Sequence, residues 1–351
     1  MYRVGAVTKV GVLGASGYAG AELLRLCSSH PELEVAVATA DSQCGSPVAE
    51  LYPNLAPAYP VETFESWTPE LVDGLDLVFS ALPHGASQKI VPGLLDAGIT
   101  HIIDLGADFR LKDPALYPQW YGHDHASPGL LADSVYGLPE LFRSELRGAR
   151  LVAAPGCWVT AATLALAPLL RAGLIEPTGI VVDAASGVSG AGRPPTPTTS
   201  FCSVDENFTA YGLLDHRHTP EIEQNLSVAA GQPSQVLFTP HLAPMNRGIL
   251  ATCYARPTGV VSTAEARAAL HDAYDDEPFV IVLDSPPSTK ATLGSNTAHV
   301  TVYADERTGW VVALAALDNL VKGAAGQAIQ CANLALGLAE PTGLPTVGLY
   351  P

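Results

Sequence analysis

A glycine-rich turn between a predicted strand and a predicted helix, near the N-terminus, constrains this chain most. Gly14-Ala-Ser-Gly17-Tyr-Ala-Gly20 follows the apolar run Lys9–Leu13 and precedes a helical pattern over Ala19–Ser28. Glycines make such a turn tight and let the backbone approach a pyrophosphate, which the N–H groups of the helix N-terminus then bind. The spacing therefore predicts a dinucleotide-binding unit, and a glycine-rich turn without a ligand is the alternative.

Apolar runs and helical patterns alternate through the rest of the first half. Strands are predicted at Leu33–Thr39, Leu75–Ala81, His101–Asp104 and Arg150–Ala154, and helices at Ser87–Ala97 and Thr160–Arg171. This alternation is typical of βαβ units, and right-handed crossovers then give a parallel, doubly wound sheet. Residues Lys112–Leu146 are rich in Pro, Tyr, Gly and His and are predicted to be irregular.

Strand patterns dominate the second half of the chain. They are predicted at Gly179–Ala185, Gln235–His241, Ile249–Ala255, Phe279–Leu283, His299–Asp305 and Trp310–Leu317, with helices at Thr263–Ala273 and Leu320–Leu338. Because strands outnumber helices here, we expect a mixed or antiparallel sheet in an α+β domain.

Composition argues against several classes of protein. The 18 basic and 35 acidic residues give a formal charge of −17, which repels a nucleic-acid backbone. The longest apolar runs, such as Val311–Leu317, are far shorter than the roughly 20 residues that span a bilayer. Six scattered cysteines without Cys-x-x-Cys argue against a disulfide framework or a zinc knuckle. We expect a soluble cytoplasmic protein without a nucleic-acid partner, a membrane partner or a metal.

Cys157 lies in Pro155-Gly156-Cys157, between a predicted strand and a predicted helix. Unpaired N–H groups and the helix dipole at such a position stabilise a thiolate, which is the form that nucleophilic catalysis needs. The alternative is a small buried side chain, the usual role of a free Cys and the one expected for the other five. Position by itself does not decide between the two.

The segment His216-Arg217-His218 is a candidate for acid–base chemistry. A thiolate enzyme needs a group that titrates near neutral pH, and an adjacent cation suits an anionic ligand. A metal site is one alternative, with His123 and His125 as a second pair, although no Cys or carboxylate follows at zinc spacing. A surface loop that contains two His residues is the other.

Two arginines close glycine-containing segments and are candidate anion ligands. Arg193 ends the loop that begins at Ser186, whose backbone N–H groups can approach a ligand. Arg110 ends Asp104-Leu-Gly-Ala-Asp-Phe-Arg110. Either could equally be an ordinary surface residue. Asp41 is ambiguous as well, since an acid about 20 residues beyond the turn binds the ribose of NAD, yet a solvated turn also contains Asp.

Together these motifs resemble the N-acetyl-gamma-glutamyl-phosphate reductases along essentially the whole chain. No single motif is specific, but their order and spacing are. Aspartate-semialdehyde dehydrogenase and, more remotely, glyceraldehyde-3-phosphate dehydrogenase are broader relatives. The resemblance includes the glycine turn, Ala81-Leu-Pro-His-Gly85, the Asp104–Arg110 segment, Pro155-Gly-Cys157, the Ser186–Arg193 loop, His216-Arg-His-Thr-Pro-Glu221 and Asp318-Asn-Leu-Val-Lys-Gly-Ala-Ala-Gly326.

The resemblance implies an NADPH-dependent reduction of N-acetyl-L-glutamyl 5-phosphate to the 5-semialdehyde, which releases phosphate and serves arginine biosynthesis. Cys157 would form a thioester and His218 would transfer protons. The substrate-binding residues would be His216, Arg110, Arg193 and Arg217. The cofactor contacts would be Gly14, Ser16, Gly17, Tyr18, Ala19, Thr39, Ser42, Pro83, Ser186, Gly187 and Asn319.

The resemblance also implies a Rossmann dinucleotide-binding domain and an α+β domain for substrate binding and oligomerisation, similar to that of glyceraldehyde-3-phosphate dehydrogenase. Residues 1–154 and 318–351 would form the first, because the final helix returns to it, and residues 155–317 the second. A homotetramer or homodimer is expected. NADP is expected despite Asp41, because Thr39 and Ser42 can supply hydrogen bonds while Asp41 points outward.

Three other functions are distinguishable. A reductase for the carrier-bound analogue of the lysine pathway needs a basic docking face, which a charge of −17 argues against. A non-catalytic NADP sensor needs neither Cys157 nor the two His residues. A Rossmann-fold sugar epimerase needs Tyr-x-x-x-Lys in a helical segment, which this sequence lacks.

Overall fold

The computed structural model describes residues 7–351. Its strands are β1 (Thr8–Leu13), β2 (Leu33–Ala38), β3 (Leu77–Ser80), β4 (His101–Asp104), β5 (Val135–Tyr136), β6 (Leu151–Ala153), β7 (Ile180–Gly187), β8 (Thr209–Ala210), β9 (Val236–Ala243), β10 (Ile249–Ala255), β11 (Val280–Val282), β12 (Ala298–Asp305) and β13 (Trp310–Leu317).

The α-helices are α1 (Tyr18–Cys27), α2 (Val48–Leu51), α3 (Ser87–Asp96), α4 (Leu116–Tyr121), α5 (Pro139–Leu146), α6 (Cys157–Arg171), α7 (Phe201–Val204), α8 (Thr219–Ala230), α9 (Thr263–Tyr274), α10 (Thr289–Thr292) and α11 (Gly326–Ala335). Short 3₁₀ turns occur at Pro53–Leu55, Pro69–Val72, Pro128–Leu130 and Val188–Ala191, and a π-helical turn at Val321–Ala325.

The chain divides into two units. The first comprises the described residues up to Pro114, together with Asp124–Pro155 and Ala324–Leu344. The second comprises Ala115–His123, Gly156–Gly323 and Pro345–Pro351. The domain bounds expected from the sequence start at residue 1, and residues 1–6 lie outside the described part of the chain.

The first unit contains a six-stranded, wholly parallel sheet in the order β2-β1-β3-β4-β6-β5. Strands β3 and β4 are buried along their whole length, and their central residues are apolar, as expected for parallel strands covered on both faces. In parallel sheets the carboxyl ends of all strands lie at one edge, where ligands of open α/β folds bind. The loops after β1, β3 and β4 therefore share this edge, and they contain Gly14, Pro83 and Arg110.

The second unit contains a seven-stranded mixed sheet in the order β11-β12-β13-β10-β7-β9-β8. Strand β10 is antiparallel to both neighbours, whereas β7 and β9 are parallel. Along β10 buried and half-buried residues alternate, so one face of the sheet is covered and the other is partly open. Helix α6 is buried from Trp158 to Leu170, and its Ala/Leu sequence fits a helix that is packed on all sides.

Both predicted fold classes are confirmed, but three local predictions are wrong. Residues Lys112–Leu146 contain α4, β5 and α5, because Pro139 begins α5, and a Pro at the start of a helix is pre-organised for it. Helix α6 begins at Cys157, three residues earlier than predicted. The final helix is interrupted, since the π-helical turn precedes α11.

Candidate active site

The glycine turn after β1 has the close packing that its sequence predicts. Gly14 has φ +76°, and a Cβ built there would lie 2.5 Å from the carbonyl oxygen of Ala81. A Cβ on Gly20 would lie 2.5 Å from the carbonyl oxygen of Gly14. Gly17 is different, because a Cβ there makes only an ordinary contact, at 3.5 Å, and its φ is −80°. The fold thus requires Gly14 and Gly20, but it does not require Gly17.

Gly17 is the N-cap of α1, and no side chain caps this helix end. The free N–H groups of a helix N-terminus favour an anion, and a glycine leaves room for it to approach. Ser16, Tyr18 and Ala19 beside it are half-buried. This part of the first unit therefore fits the pyrophosphate of a dinucleotide, as the spacing of the glycines predicts.

Thr39 supports the glycine turn through hydrogen bonds. It is only 2 % exposed, its hydroxyl accepts a hydrogen bond from Gly14 N–H at 3.4 Å, and its carbonyl accepts one from Ala15 N–H at 2.8 Å. The hydroxyl of Thr39 therefore supports the turn, and its contact with a 2′-phosphate stays a prediction. Asp41 and Ser42 are both exposed. Pro83 is exposed beyond the end of β3.

Arg110, a predicted substrate ligand, is buried and bonded to the backbone. Its side chain is 5 % exposed, and its guanidinium donates to the carbonyl oxygens of Ala154 at 2.8 Å and Leu105 at 2.7 Å. The hydrogen bond to Ala154 fixes the backbone between β6 and Pro155. Its burial could not be predicted from the sequence, because a buried Arg and a surface Arg have the same local pattern.

Cys157 is the first residue of α6 and is half-buried. Gly156 is the N-cap, and its N–H donates to Oε1 of the fully buried Glu221 at 3.0 Å. The carbonyl of Gly156 accepts the first helical bond from Thr160 N–H at 3.0 Å. The thiol is therefore carried by a fixed helix start, where backbone dipoles favour a negative charge.

His218 lies beside this helix start. It is the N-cap of α8, and a Cβ built on Gly156 would be 2.5 Å from both Cε1 and Nε2 of its ring. The structure thus brings together the residue before Cys157 and the predicted acid–base group. Glu221 belongs to the first turn of the same helix and was overlooked, although its position three residues after His218 could have indicated it.

His216 is held in one tautomer. Its Nδ1 accepts a hydrogen bond from His218 N–H at 3.1 Å, so its proton is on Nε2. Its ring packs edge-on against His218, at 4.9 Å between centroids, and against Phe238, at 5.2 Å. Burial lowers the pKa of His216 to about 4, and the neighbouring charge of Arg217 contributes. His216 is therefore a neutral N–H donor at pH 7.

Three residues predicted to contact the cofactor lie in the second unit and are buried. Ser186 donates to the carbonyl oxygen of Gly187 at 3.0 Å, and a Cβ on Gly187 would be 2.6 Å from the backbone nitrogen of Arg247. Asn319 accepts from Gly248 N–H at 2.8 Å and donates to Ser189 Oγ at 3.0 Å. These contacts give all three a structural role at the ends of β7 and β10.

The remaining predicted arginines belong to the second unit. Arg217 is exposed, and its guanidinium lies 5.8 Å from the ring centre of Tyr121. Arg193 is half-buried in its loop. Arg247 was overlooked; its Nη1 lies 3.6 Å from Oδ2 of Asp318. Its sequence context, between Asn246 and Gly248, contains no recognisable motif.

Two further observations concern metal ligands and membrane-spanning helices. Across residues 7–351, no three His, Cys, Asp or Glu side chains gather as metal ligands would. His125 instead bonds the carbonyl oxygen of Asp108, at 2.6 Å. Within the same range, every helix is too short or too polar to cross a bilayer.

Family comparisons cover both halves of the chain. Residues 9–149 match the family described as "Semialdehyde dehydrogenase, NAD binding domain". Residues 157–319 match the one described as "Semialdehyde dehydrogenase, dimerisation domain". Together the two matches span most of the chain, and Cys157 is the first residue of the second.

Curated relatives share about half of the sequence. The N-acetyl-gamma-glutamyl-phosphate reductase of Symbiobacterium thermophilum is 50% identical over 347 residues, which is 98% of this chain and 99% of the relative. That of Acidothermus cellulolyticus is 52% identical over 348 residues, with the same coverage.

Solved structures of lower identity share the fold. Aspartate semialdehyde dehydrogenase II from Vibrio cholerae, complexed with ASA, has a TM-score of 0.70 at 17% identity and covers 95% of this chain and 99% of its own. Aspartate semialdehyde dehydrogenase from Candida albicans, with NADP, also has a TM-score of 0.70 at 17% identity, covering 94% and 98%. The combination of a parallel sheet and a mixed sheet is thus that of semialdehyde dehydrogenases.

Proposed function

The chain belongs to the N-acetyl-gamma-glutamyl-phosphate reductases of the semialdehyde dehydrogenase family, and on that premise we propose that it uses NADPH to reduce N-acetyl-L-glutamyl 5-phosphate. The products are N-acetyl-L-glutamate 5-semialdehyde and phosphate, and the reaction is a step of arginine biosynthesis. The observation that carries this proposal is Cys157 at the start of α6, with His218 packed on the preceding Gly156.

Cys157 is the nucleophile. Its thiolate attacks the acyl carbon, a C–S bond forms, and the C–O bond to the phosphate breaks. Phosphate leaves and a thioester remains on Cys157. Covalent catalysis of this kind divides one difficult step into two easier ones, and a thiolate is a far better nucleophile near neutral pH than a hydroxyl.

His218 is the acid–base group. The ring edge that carries Nε2 lies at Gly156, next to the thiol-bearing residue. A neutral imidazole there takes the thiol proton, and the imidazolium that results protonates the oxygen of the hemithioacetal that forms on Cys157 when the thioester is reduced. The imidazole takes this proton back as the C–S bond breaks, the aldehyde leaves and the Cys157 thiolate is restored. His216 does not share this role, because a pKa of about 4 makes it too weak a base to hold a proton near pH 7, and its Nε2–H instead donates a hydrogen bond to a substrate oxygen.

The glycine turn of the first unit holds the dinucleotide. The N–H groups at the start of α1 bind its pyrophosphate, and Gly17 leaves the space that the phosphate oxygens need. When bound, NADPH supplies the hydride that reduces the thioester. Exposed Ser42 would be the more accessible hydrogen-bond donor for a 2′-phosphate, because Thr39 is buried.

Arginines of the second unit bind the anionic substrate. In a chain of charge −17, an acyl phosphate that also bears a carboxylate needs local cations. Arg217, next to His216, and Arg193 in its loop remain the candidates. Arg247 joins them, because it lies at the end of β7 against Gly187.

The protein assembles with copies of itself. Its second unit matches a dimerisation domain, and one face of the mixed sheet is partly open along β7, β10 and β13. We propose a homodimer through this face, or a homotetramer built from two such pairs, in the cytoplasm. Light scattering after size-exclusion chromatography distinguishes the two.

The reverse reaction tests the activity. N-acetyl-L-glutamate 5-semialdehyde, phosphate and NADP should yield NADPH absorbance, and omission of phosphate should abolish it. A carrier-bound substrate of the lysine pathway should not react. Absence of NADPH formation by folded protein with this aldehyde, or equal rates without phosphate, would overturn the proposal.

A further inference from the structure

A widened helical turn precedes the last helix of the chain. Val321–Ala325 is π-helical, and Gly323 N–H donates to the carbonyl oxygen of Asp318, five residues earlier, at 2.9 Å. Turns of this type are rare in proteins and occur frequently at functional sites. The turn belongs to the Asp318–Gly326 motif, most of which has no role in the proposed chemistry.

The start of this turn is firmly held. Asp318 is fully buried, and its Oδ1 accepts from the N–H groups of Leu320 at 2.8 Å and Val321 at 3.1 Å. Its Oδ2 accepts from Gly294 N–H at 2.7 Å. The amide of Asn319 bonds two further loops, as described above. These hydrogen bonds hold the π-helical turn in place against the residues that it contacts.

The turn contacts the residue that carries the nucleophile. A Cβ built on Gly323 would lie 2.8 Å from the Cβ of Cys157 and 3.3 Å from its Cα. Real Cβ atoms essentially never approach within 3.0 Å. The φ of Gly323 is outside the left-handed region. It is therefore the proximity of Cys157, and not the backbone conformation, that requires glycine here.

Cys157 cannot easily move away from Gly323 either. The preceding Gly156 is fixed by Glu221 at 3.0 Å, and helix α6 is buried from Trp158 to Leu170. A shift of the first residue of α6 would disturb this packing, since interiors are packed as densely as organic crystals. The contact is thus between two parts of the fold that both resist displacement.

We infer that Gly323 is a positioning residue for the Cys157 thiol. Gly323 has no side chain, so the β-carbon of Cys157 packs directly against its backbone. This contact fixes the position of the β-carbon and therefore that of the sulfur atom bonded to it. The inference rests on the proposed function for its effect on turnover, but the effect on the thiol itself is independent of the substrate. Catalytic rates are sensitive to such placement, and a misplacement of about 1 Å lowers them about 100-fold.

Gly323→Ala tests the inference, with Gly93→Ala as the matched control. Gly93 is in helix α3, and a Cβ there would meet nothing within 4 Å. Gly323→Ala should lower kcat about tenfold or more with little change in KM, the pattern of an interaction that matters in the transition state. It should also change the rate and the pH midpoint of iodoacetamide alkylation at Cys157. Gly93→Ala should change none of these.

The outcomes separate this inference from the proposed function. Failure of wild-type protein to reduce N-acetyl-L-glutamyl 5-phosphate overturns the proposed function, and the alkylation profile alone then decides the role of Gly323. If wild-type protein is active, a folded Gly323→Ala protein whose kcat or alkylation profile equals that of wild type overturns the inference.

A double-mutant cycle covers the case in which Gly323→Ala folds poorly. Cys157→Gly removes the β-carbon that the new methyl group would meet. The loss of Tm from Gly323→Ala should then be less than half of the loss in the wild-type background, because coupled neighbours are not additive. Equal losses in the two backgrounds would show that the methyl group clashes elsewhere and would overturn the inference.

Discussion

The imidazole of His218 lies against the α-carbon of Gly156, the residue that precedes Cys157. A side chain on Gly156 would meet Cε1 and Nε2 of the ring at 2.5 Å, and the N–H of the same glycine is bonded to Glu221. Gly156 therefore joins the start of α6, which carries the thiol, to the start of α8, which carries the acid–base group.

Removal of the acid–base group should affect turnover far more than binding. His218→Asn should lower kcat by about 10²–10⁴-fold, the typical contribution of a positioned acid or base. His216→Asn should mainly raise KM, because His216 stays neutral and only donates a hydrogen bond. Steady-state kinetics of both variants measure this, with exposed His271→Asn on α9 as the control. Equal, mild effects at both positions would exclude His218 as the proton-transfer group.

Cys157 should be the first thiol to react. Burial raises the pKa of Cys27 to about 12 and raises that of Cys253 as well, so neither forms a thiolate near neutral pH. Limiting iodoacetamide followed by peptide mapping should find Cys157 modified first, with activity lost in proportion. Cys157→Ser should keep NADP binding and lose nearly all reduction.

Exposed Cys44 and Cys202 need a control, because both thiols are accessible to the reagent. A Cys44→Ser, Cys202→Ser protein should keep full activity and the same rate of inactivation. Faster labelling of either residue than of Cys157 in the wild-type protein, or substantial turnover by Cys157→Ser, would contradict the covalent mechanism.

Gly17 can be tested apart from folding. Gly17→Val should keep a Tm close to that of wild type, because a Cβ there meets only the carbonyl oxygen of Gly14, at 3.5 Å. It should weaken NADP binding at least about tenfold, or about 1.4 kcal/mol, because the side chain takes the space of the pyrophosphate. Calorimetric titration measures this, with Gly259→Val as the control in open space. Unchanged affinity would mean that the pyrophosphate binds elsewhere.

His216 should remain neutral across the physiological range. Burial, with Arg217, lowers its pKa from 6.5 to about 4. The folded state therefore binds fewer protons at this residue than the unfolded state between those values, and its contribution to stability is lost as pH falls from 6.5 toward 4. NMR of the imidazole should show no titration of His216 between pH 5 and 8. A midpoint near 6.5 would contradict this account.

Asp104 should respond to pH in the opposite direction. Burial raises its pKa from 3.8 to about 6, and the nearby charge of Asp108 contributes. The folded state then binds more protons between those values, so stability falls as pH rises through them, by up to about 3 kcal/mol. Asp104→Asn mimics the protonated acid beside Ser87 and should gain stability relative to wild type between pH 4 and pH 7.

Denaturant unfolding at the two pH values measures this difference. Asp73→Asn is the control, because Asp73 is exposed and lies in the same unit. A difference between Asp104→Asn and wild type that is the same at both pH values would show that Asp104 does not carry the pH dependence.

Much of the fold could be predicted because its causes are local. Strands β4, β10 and β13 have the predicted bounds, since buried strands are continuous or alternating apolar runs that end at turn residues. The glycine turn is recognisable for the same reason, because φ +76° at Gly14 is a property of one residue. The prediction of an irregular segment over Lys112–Leu146 is wrong because Pro occurs both in irregular segments and at helix starts, and Pro139 begins a helix.

By itself, the sequence determined the two kinds of sheet, the dinucleotide turn, and the residue types that the chemistry needs at Cys157 and His218. Only the tertiary structure decided which of the candidate side chains are accessible to a ligand. Arg110 and Thr39 have the residue types of ligands, yet both are buried and bonded to the backbone. Arg247 and Gly323 became recognisable only through contacts between residues far apart in the chain. The reason is physical: turn and strand preferences depend on neighbours in sequence, whereas burial and hydrogen-bond partners depend on how distant segments pack.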